Sequence, residues 1–245
     1  MGSRVVHFEL AGPDGGALAA FYAELFGWHA QEIPDANYAL VDTHGGGGIN
    51  GGVAGVPDGE PYATFYVEAE DPQAVLDRAE ELGATVVVPV TETMFVTYGR
   101  FADPDGLQVG VVKAAAPSDE QPPGPSAGEG APVDWFEVLG SDAAATQRFY
   151  SELFGWTADS TGFPGYALVQ GAGEGVGGGL GSGEGATWAT VYAKVGNVEE
   201  ALARAESLGG SRVYGPNDVD DHMQTGALRD PAGNVFGVYS HPDHH

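Results

Sequence analysis

The chain has 245 residues, and 9 Lys and Arg against 35 Asp and Glu give it a formal net charge of −26 at pH 7. Nucleic acids and anionic membranes bind clustered basic side chains, so we expect neither as a partner, and an acidic field favours a cationic or neutral small molecule. The absence of cysteine excludes disulfides and thiolate chemistry, and with no signal-peptide pattern and no apolar run of roughly 18 residues we expect a cytoplasmic location.

The elements predicted in chain order occur twice, because the sequence repeats itself. Residues 21–28 (FYAELFGW) return as 149–156 (FYSELFGW), residues 38–41 (YALV) return as 166–169, and residues 103–106 (DPDG) return as 230–233 (DPAG). Between the copies, residues 114–131 are rich in Pro, Gly, Ser and acidic residues. We therefore predict two tandem domains, 1–113 and 132–245, the second with a short histidine-containing tail, and a flexible acidic linker over 114–131.

Each copy is predicted to run strand, helix, three strands, and then the same again, which places the chain in the α+β class. The capping residues predicted for the four helices are, in chain order, Asp14, Asp71, Ser141 or Asp142, and Asn197. The second helix of each copy is predicted to end at glycine, Gly83 or Gly209. The glycine-rich stretches 45–55 and 171–185 are predicted to be hairpin turns.

This duplicated strand–helix pattern resembles the vicinal oxygen chelate superfamily in its tandem, two-domain actinobacterial form. The resemblance is carried by FY-x-E-LFGW on the first helix and DP-x-G before the last strand of each copy, and it covers residues 4–113 and 132–240. The superfamily includes glyoxalase I, ring-cleaving dioxygenases, and fosfomycin and bleomycin resistance proteins. The resemblance implies a pair of βαβββ units per domain, which curl eight strands of a mixed sheet into a cup that holds the ligand. It also implies a link to aromatic polyketide biosynthesis, since some relatives occur with such gene clusters.

The resemblance also implies where metal ligands would lie. The positions that align with the superfamily's ligands are His7, Tyr62 and Gly110 in the first copy, and Trp135, Trp188 and Gly237 in the second. Of these only His7 is a metal-binding residue type, and His44 is a further candidate in the glycine-rich region. Because a metal site needs three or four converging His, Asp or Glu side chains, we predict a member without metal or other cofactor.

Strand alternation predicts which side chains line the inner face of each cup, the face turned away from the helices. The predicted lining is His7, Glu9, Tyr62, Thr64, Tyr66 and Gly110 in the first copy, and Trp135, Glu137, Trp188, Thr190, Tyr192, Gly237 and Tyr239 in the second. Aromatic rings with one carboxylate and a few hydroxyls are typical of a pocket for a flat, largely apolar ligand. The alternative is that the rings only fill a core, and the glycines argue against it because they would leave a gap.

Two functions fit this lining. The first is metal-independent binding of a small aromatic or cationic molecule, for sequestration, self-resistance or a carrier role in secondary metabolism. The alternative is a metal-independent isomerase, cyclase or hydroxylase acting on a polyketide-like substrate, with acid–base residues His7 and Glu9, or Tyr98 or His222 before the last hairpin. A third possibility, a scaffold with degenerate pockets, predicts neither binding nor turnover. The two copies would form a pseudo-dimer within a monomer, or the chain would form a homodimer.

Overall fold

The first copy contains two βαβββ units in a computed structural model that describes residues 2–113, 124–169, 175–183 and 185–241. The first unit consists of β1 (Val5–Gly12), α1 (Gly15–Phe26), β2 (His29–Ile33), β3 (Tyr38–Asp42) and β4 (Gly51–Gly55). The second consists of β5 (Tyr62–Ala69), α2 (Pro72–Glu81), β6 (Thr85–Glu92), β7 (Thr97–Ala102) and β8 (Gln108–Lys113).

The second copy repeats this order. Its first unit consists of β9 (Val133–Gly140), α3 (Ala143–Phe154), β10 (Ala158–Phe163), β11 (Tyr166–Val169) and β12 (Gly177–Ser182). Its second unit consists of β13 (Trp188–Lys194), α4 (Val198–Ser207), β14 (Ser211–Asp218), β15 (Gln224–Arg229) and β16 (Val235–Ser240).

The strands described in each copy form one eight-stranded mixed sheet. The strand orders are β2-β3-β4-β1-β5-β8-β7-β6 and β10-β11-β12-β9-β13-β16-β15-β14. Within each βαβββ unit the first strand pairs in parallel with the last, as β5 does with β8, and the remaining pairs are antiparallel. The predicted α+β class, with a pair of βαβββ units in each copy, is confirmed.

The helices begin at the predicted capping residues. The Asp14 side chain accepts a hydrogen bond from the N–H of Ala17 at 2.9 Å, and Asp142, rather than Ser141, accepts one from Ala145 at 2.7 Å. The caps of α2 and α4 are Asp71 and Asn197. These bonds satisfy N–H groups that have no partner inside the helix, so short polar side chains fix where each helix starts.

The glycine-rich stretches contain strands, so the prediction of hairpin turns was wrong for much of them. Gly51–Gly55 forms β4 beside β1, and β12 lies in the same way beside β9. A Cβ atom on Gly51 would overlap the ring of Phe8, and one on Gly178 would overlap the ring of Phe136. Glycine is therefore used here to make room for neighbouring aromatic rings rather than to turn the chain. Residues 171–174 and 184 of the predicted second turn region lie outside the described residues.

The described residues divide into two compact units, each of which combines half of one copy with half of the other. One unit contains the described residues of Met1–His7, Thr64–Pro123 and Trp135–Ala189, and the other those of Phe8–Ala63, Gly124–Asp134 and Thr190–His245. Each compact unit thus contains most of one βαβββ unit from each copy. Sequence repeats and compact units divide the chain differently, and the predicted domain boundaries stay a prediction.

Within each compact unit, the FY-x-E-LFGW motif of one copy contacts the DP-x-G motif of the other copy. The hydroxyl of Tyr22 on α1 donates to Asp230 of the second copy's DP-x-G turn at 3.0 Å, and Tyr150 on α3 donates to Asp103 of the first copy's turn at 3.0 Å. Burial, reinforced by the neighbouring aspartate, raises the pKa of both tyrosines well above the ordinary value. Burial also raises the pKa of Asp103 and Asp230, against the hydrogen bonds that lower it.

The aromatic residues of FY-x-E-LFGW build the cores around these pairs. The ring of Trp28 stacks on Tyr22 with centroids 5.5 Å apart and lies 5.7 Å from Phe236, and Trp156 stacks on Tyr150 at 6.2 Å. Both tryptophans are buried. The most recognisable motif of the sequence therefore serves packing rather than ligand contact.

The described end of the predicted linker makes hydrogen bonds with the first copy. The Ser126 hydroxyl donates to Asp42 at 2.7 Å, and the N–H of Gly130 donates to the carbonyl of His44 at 3.2 Å. Residues 114–123 lie outside the described residues, and the flexibility predicted for them stays a prediction. None of the helices described has the length and apolar character needed to cross a membrane.

Candidate functional site

The inner face of the second copy holds a buried carboxylate between aromatic side chains. Both oxygens of Glu137 accept hydrogen bonds, one from the Tyr166 hydroxyl at 2.9 Å and the other from the indole N–H of Trp188 at 2.8 Å. Glu137 is 8% exposed, whereas the two rings are half-buried. We call Glu137, Tyr166 and Trp188 the aromatic–carboxylate cluster.

Two glycines of β12 create the room for this cluster and for Trp135. Gly179 is the register partner of Glu137, and a Cβ atom there would overlap the Tyr166 hydroxyl. A Cβ on Gly177 would lie 3.0 Å from the ring of Trp135, which is also half-buried. The three aromatic rings that surround Glu137 in β9, β11 and β13 are thus partly exposed, while the carboxylate is not.

The first copy repeats the arrangement around Glu9. Its carboxylate is also 8% exposed and accepts a hydrogen bond from the Tyr62 hydroxyl at 2.7 Å. The hydroxyl of Tyr38 lies where a Cβ on Gly52 would be, and Gly52 is the register partner of Glu9. Tyr62 therefore stands in the place of Trp188, and Tyr38 in the place of Tyr166.

His7, Tyr66, Tyr98 and Gly110 are brought together on the first copy. The imidazole of His7 meets the Tyr66 ring edge-on with centroids 5.9 Å apart, and Tyr98 meets the same ring at 6.1 Å. Gly110 is the register partner of Tyr66, and a Cβ atom on it would overlap that ring. The space that this glycine leaves is therefore filled by Tyr66, which removes the gap that the sequence argument assumed.

The second copy fills the corresponding space in the same way. A Cβ on Gly237 would overlap the ring of Tyr192, whose hydroxyl lies 3.1 Å from that of Tyr214. Tyr239 donates to Asp134 at 2.8 Å, and burial raises the pKa of this aspartate. The glycines therefore do not support a ligand-lining role for these side chains, and the support for that role comes from the half-buried aromatic rings.

The two predicted threonines hydrogen-bond to strand backbone. The hydroxyl of Thr64 donates to the carbonyl of Gln108, and that of Thr190 donates to the carbonyl of Val235, both at 2.7 Å. Both threonines are buried. Their hydroxyls tie neighbouring parallel strands together.

Tyr98 and His222 differ in their surroundings. Tyr98 lies in strand β7 on the face that carries Tyr66, rather than in a loop before the last hairpin. His222 lies in the exposed loop between β14 and β15, where its N–H donates to Asp220 at 2.7 Å. Tyr98 thus belongs to the first copy's inner face, and His222 belongs to a surface turn.

The residues present do not fit the metal site that the superfamily resemblance implies. Within the described ranges, no three His, Asp or Glu side chains lie close enough together to hold a metal ion. The imidazole of His7 contacts Tyr66, and that of His44 stacks on His29 at 5.5 Å and lies 3.8 Å from Asp42. Metal independence itself stays a prediction.

Two surface depressions lie apart from the predicted lining. One, of about 550 Å³, is bordered by α1, β2 and β3, and the other, of about 720 Å³, is bordered by residues that include Gly45–Gly48, Asp134 and Lys194. Neither is lined by Glu9 or Glu137. We therefore base the candidate site on the side-chain clusters and not on the depressions.

Sequence reasoning missed some of the residues of these clusters. Tyr38 and Tyr166 were visible as the repeated tyrosine of YALV, and that repetition was the signal that a role was shared. Arg100, the register partner of Gly110, and Gln108, two residues before Gly110 on β8, also lie on the first copy's inner face, and both were missed because β7 and the start of β8 were not assigned face by face. Alternation from Tyr98 and Gly110 would have placed both on the inner face.

Comparison with known proteins supplies the family context. A family model for the glyoxalase-like domain matches the chain twice, over residues 7–112 and 136–239. The anthracycline biosynthesis protein DnrV of Streptomyces peucetius is 28% identical over 260 residues, which cover 94% of this chain and 90% of DnrV.

Solved structures show a similar fold. The Mn(II)-bound glyoxalase from Novosphingobium aromaticivorans has a TM-score of 0.65 at 17% identity, over 97% of this chain and 83% of that chain. The 2,3-dioxygenase LapB from Pseudomonas sp. KL28 also has a TM-score of 0.65, at 14% identity, over 99% of this chain and 95% of that chain. At such identities the likeness concerns the fold alone.

Proposed function

The chain belongs to the glyoxalase-like domain family in both of its halves, and from this premise we propose that it binds a small planar aromatic molecule without a metal ion. Its role would be that of a carrier or sequestering protein in secondary metabolism. The ligand would stack on half-buried aromatic rings of an inner face and donate an amine or phenol hydrogen to a buried carboxylate.

The aromatic–carboxylate cluster is the observation that carries this proposal. Aromatic donors hold both oxygens of Glu137, and a carboxylate, with about four lone-pair sites, is an acceptor suited to a ligand amine or phenol. The half-buried rings of Trp135 and Trp188 offer flat apolar surface beside it. Pockets for aromatic ligands combine such surface with a few placed polar groups.

The relative DnrV supports the choice of ligand class. Its name assigns it to anthracycline biosynthesis, and anthracyclines are planar polycyclic aromatics with phenol groups and, when glycosylated, an amine. The net charge of −26 would attract an amine-bearing ligand over a distance set by the ionic strength. An amine-bearing anthracycline is therefore a suitable first probe.

Equilibrium dialysis against daunorubicin, read by its visible absorbance, tests the proposal. We expect Glu137→Gln to weaken binding by about tenfold or more, since a hydrogen bond to a charged group contributes about 1.5–3 kcal/mol. Trp188→Phe keeps a ring but removes the N–H, and should weaken binding less. Glu129→Gln changes the net charge equally at an exposed position and is the control. Equal affinity of the Glu137→Gln and Glu129→Gln variants would contradict the proposal.

The enzyme alternative is favoured by one observation, the imidazole of His7 beside Tyr66 on an inner face. Mass spectrometry of the ligand recovered after incubation separates the two functions. A binding protein returns the ligand with its mass and retention time unchanged. An altered product that is lost in His7→Ala would replace the binding proposal with catalysis.

A further inference from the structure

The first copy presents a row of polar side chains on its inner face that the second copy lacks. Arg100 on β7 is the register partner of Gly110 on β8, and Gly110 is the register partner of Tyr66 on β5. Directly paired residues of neighbouring strands point to the same face of a sheet. The guanidinium of Arg100 and the ring of Tyr66 therefore flank the glycine between them.

Three more side chains belong to the same face. Tyr98 and Gln108 lie two residues from Arg100 and Gly110 along β7 and β8, and residues two apart share a face. His7 joins them through its edge contact with Tyr66. We call Arg100, Gly110 and Tyr66, with Tyr98, Gln108 and His7, the polar row.

Gln108 provides a second observation that points to a ligand. Its side-chain oxygen Oε1 is buried, and no hydrogen bond from the described residues reaches it. A buried acceptor without a donor is unfavourable for the folded protein. A ligand hydroxyl or amine placed beside Gln108 would supply that donor.

The corresponding row of the second copy keeps a tyrosine but has no guanidinium or side-chain amide at the positions of Arg100 and Gln108. In register, Tyr192, Gly237 and Ala227 replace Tyr66, Gly110 and Arg100, and Val235 replaces Gln108. The backbone arrangement is thus kept, while the guanidinium and the amide are exchanged for methyl and isopropyl groups. On this face, the first copy therefore has two polar side chains, Arg100 and Gln108, that can hydrogen-bond to a ligand, where the second copy has Ala227 and Val235.

We propose that the polar row is a subsite for an ionised aromatic hydroxyl, a phenolate or hydroxyquinone anion, held by Arg100 with a neighbouring ligand hydroxyl donating to Gln108. The bound hydroxyl loses its proton to solvent, and the guanidinium stabilises the oxygen anion by a charge-assisted hydrogen bond. The inference rests on the proposed function and names the ligand class more closely: a polyhydroxylated quinone or phenol with two adjacent oxygens, bound by the first copy.

The test uses the full chain and the dye alizarin, 1,2-dihydroxyanthraquinone, whose ionised form absorbs at longer wavelength than its neutral form. We expect the wild-type protein to bind alizarin with the spectrum of the ion. Arg100→Gln should weaken binding about tenfold or more and return the bound dye to the neutral spectrum. Arg229→Gln removes the same charge from an exposed position on β15 and should match the wild type.

Arg100→Lys guards against a folding defect, since it keeps a positive charge on the strand. With unchanged circular dichroism, this variant should retain the ionised spectrum while losing part of the affinity. Equal behaviour of Arg100→Gln and Arg229→Gln, in a protein that binds the dye, would overturn the subsite and leave the proposed function standing. A wild-type protein that binds neither alizarin nor daunorubicin would overturn both.

Discussion

The crossed tyrosine–aspartate pairs predict which residues depend on each other for stability. In Tyr150→Phe, Oδ2 of Asp103 loses the hydroxyl that lies 3.0 Å away, while Oδ1 keeps the N–H groups of Asp105 and Leu107 at 2.9 and 2.8 Å. A hydrogen bond to a charged group contributes about 1.5–3 kcal/mol, so we expect the free energy of unfolding to fall by about that amount. For a chain of this length, that corresponds to a decrease in Tm of about 2–4 °C per kcal/mol.

A double-mutant cycle tests the crossing itself. Urea unfolding can be followed by tryptophan fluorescence, because Trp156 stacks on Tyr150. We expect Tyr150→Phe and Asp103→Asn to be coupled by about 0.5–3 kcal/mol, whereas Tyr22→Phe and Asp103→Asn should add within about 0.5 kcal/mol. Coupling in the second pair but not in the first would refute the contact pattern.

Two further predictions concern the buried aspartates and the glycine beneath the cluster. Burial raises the pKa of Asp103 and Asp230 in the folded protein above the ordinary value of an unfolded aspartate. Between the ordinary pKa and the raised pKa, the folded state therefore binds more protons than the unfolded state. The resulting stabilisation is full below the ordinary pKa and is lost as the pH rises through the raised pKa. Asp103→Asn should therefore flatten the decline in unfolding free energy with rising pH, measured by urea titration at successive pH values, and an unchanged slope would count against the assigned pKa direction. Gly179→Ala should destabilise the protein by about 1–3 kcal/mol in thermal unfolding, because the new methyl group overlaps the Tyr166 hydroxyl. Gly162→Ala, whose methyl group meets open space, should change the stability little and is the control. Equal effects of the two substitutions would show that the Tyr166 position is not tightly packed.

The order of the elements was predictable because each boundary has a local cause. Asp14 and Asp142 are caps whose short side chains satisfy the first helical N–H groups. Because the two copies share their motifs, the helix start predicted in one copy supports the helix start predicted in the other. The contacts between copies were not predictable in this way. Asp103 and Asp230 occupy the same motif, so chemistry alone does not say which of them Tyr22 bonds.

The candidate site was predictable in its residue types but not in its geometry. Alternation identified Glu137 and Trp188 as neighbours of one face, and they are hydrogen-bonded at 2.8 Å. Gly110 and Gly237 were interpreted as gaps, yet each accommodates the ring of a tyrosine on the adjacent strand. A glycine in a strand marks a close approach, and the sequence does not reveal whether a ligand or the protein itself makes it.

The covalent joining of the two copies has an evolutionary consequence. In a homodimer of single-copy chains, one gene encodes both binding faces, so every substitution appears in both. In a fused chain the core motifs can stay matched, as Tyr22 and Tyr150 are, while the register partner of the last-strand glycine is Arg100 in one copy and Ala227 in the other. Gene fusion thus separates selection for folding, which keeps the halves alike, from selection for chemistry, which lets a single half specialise.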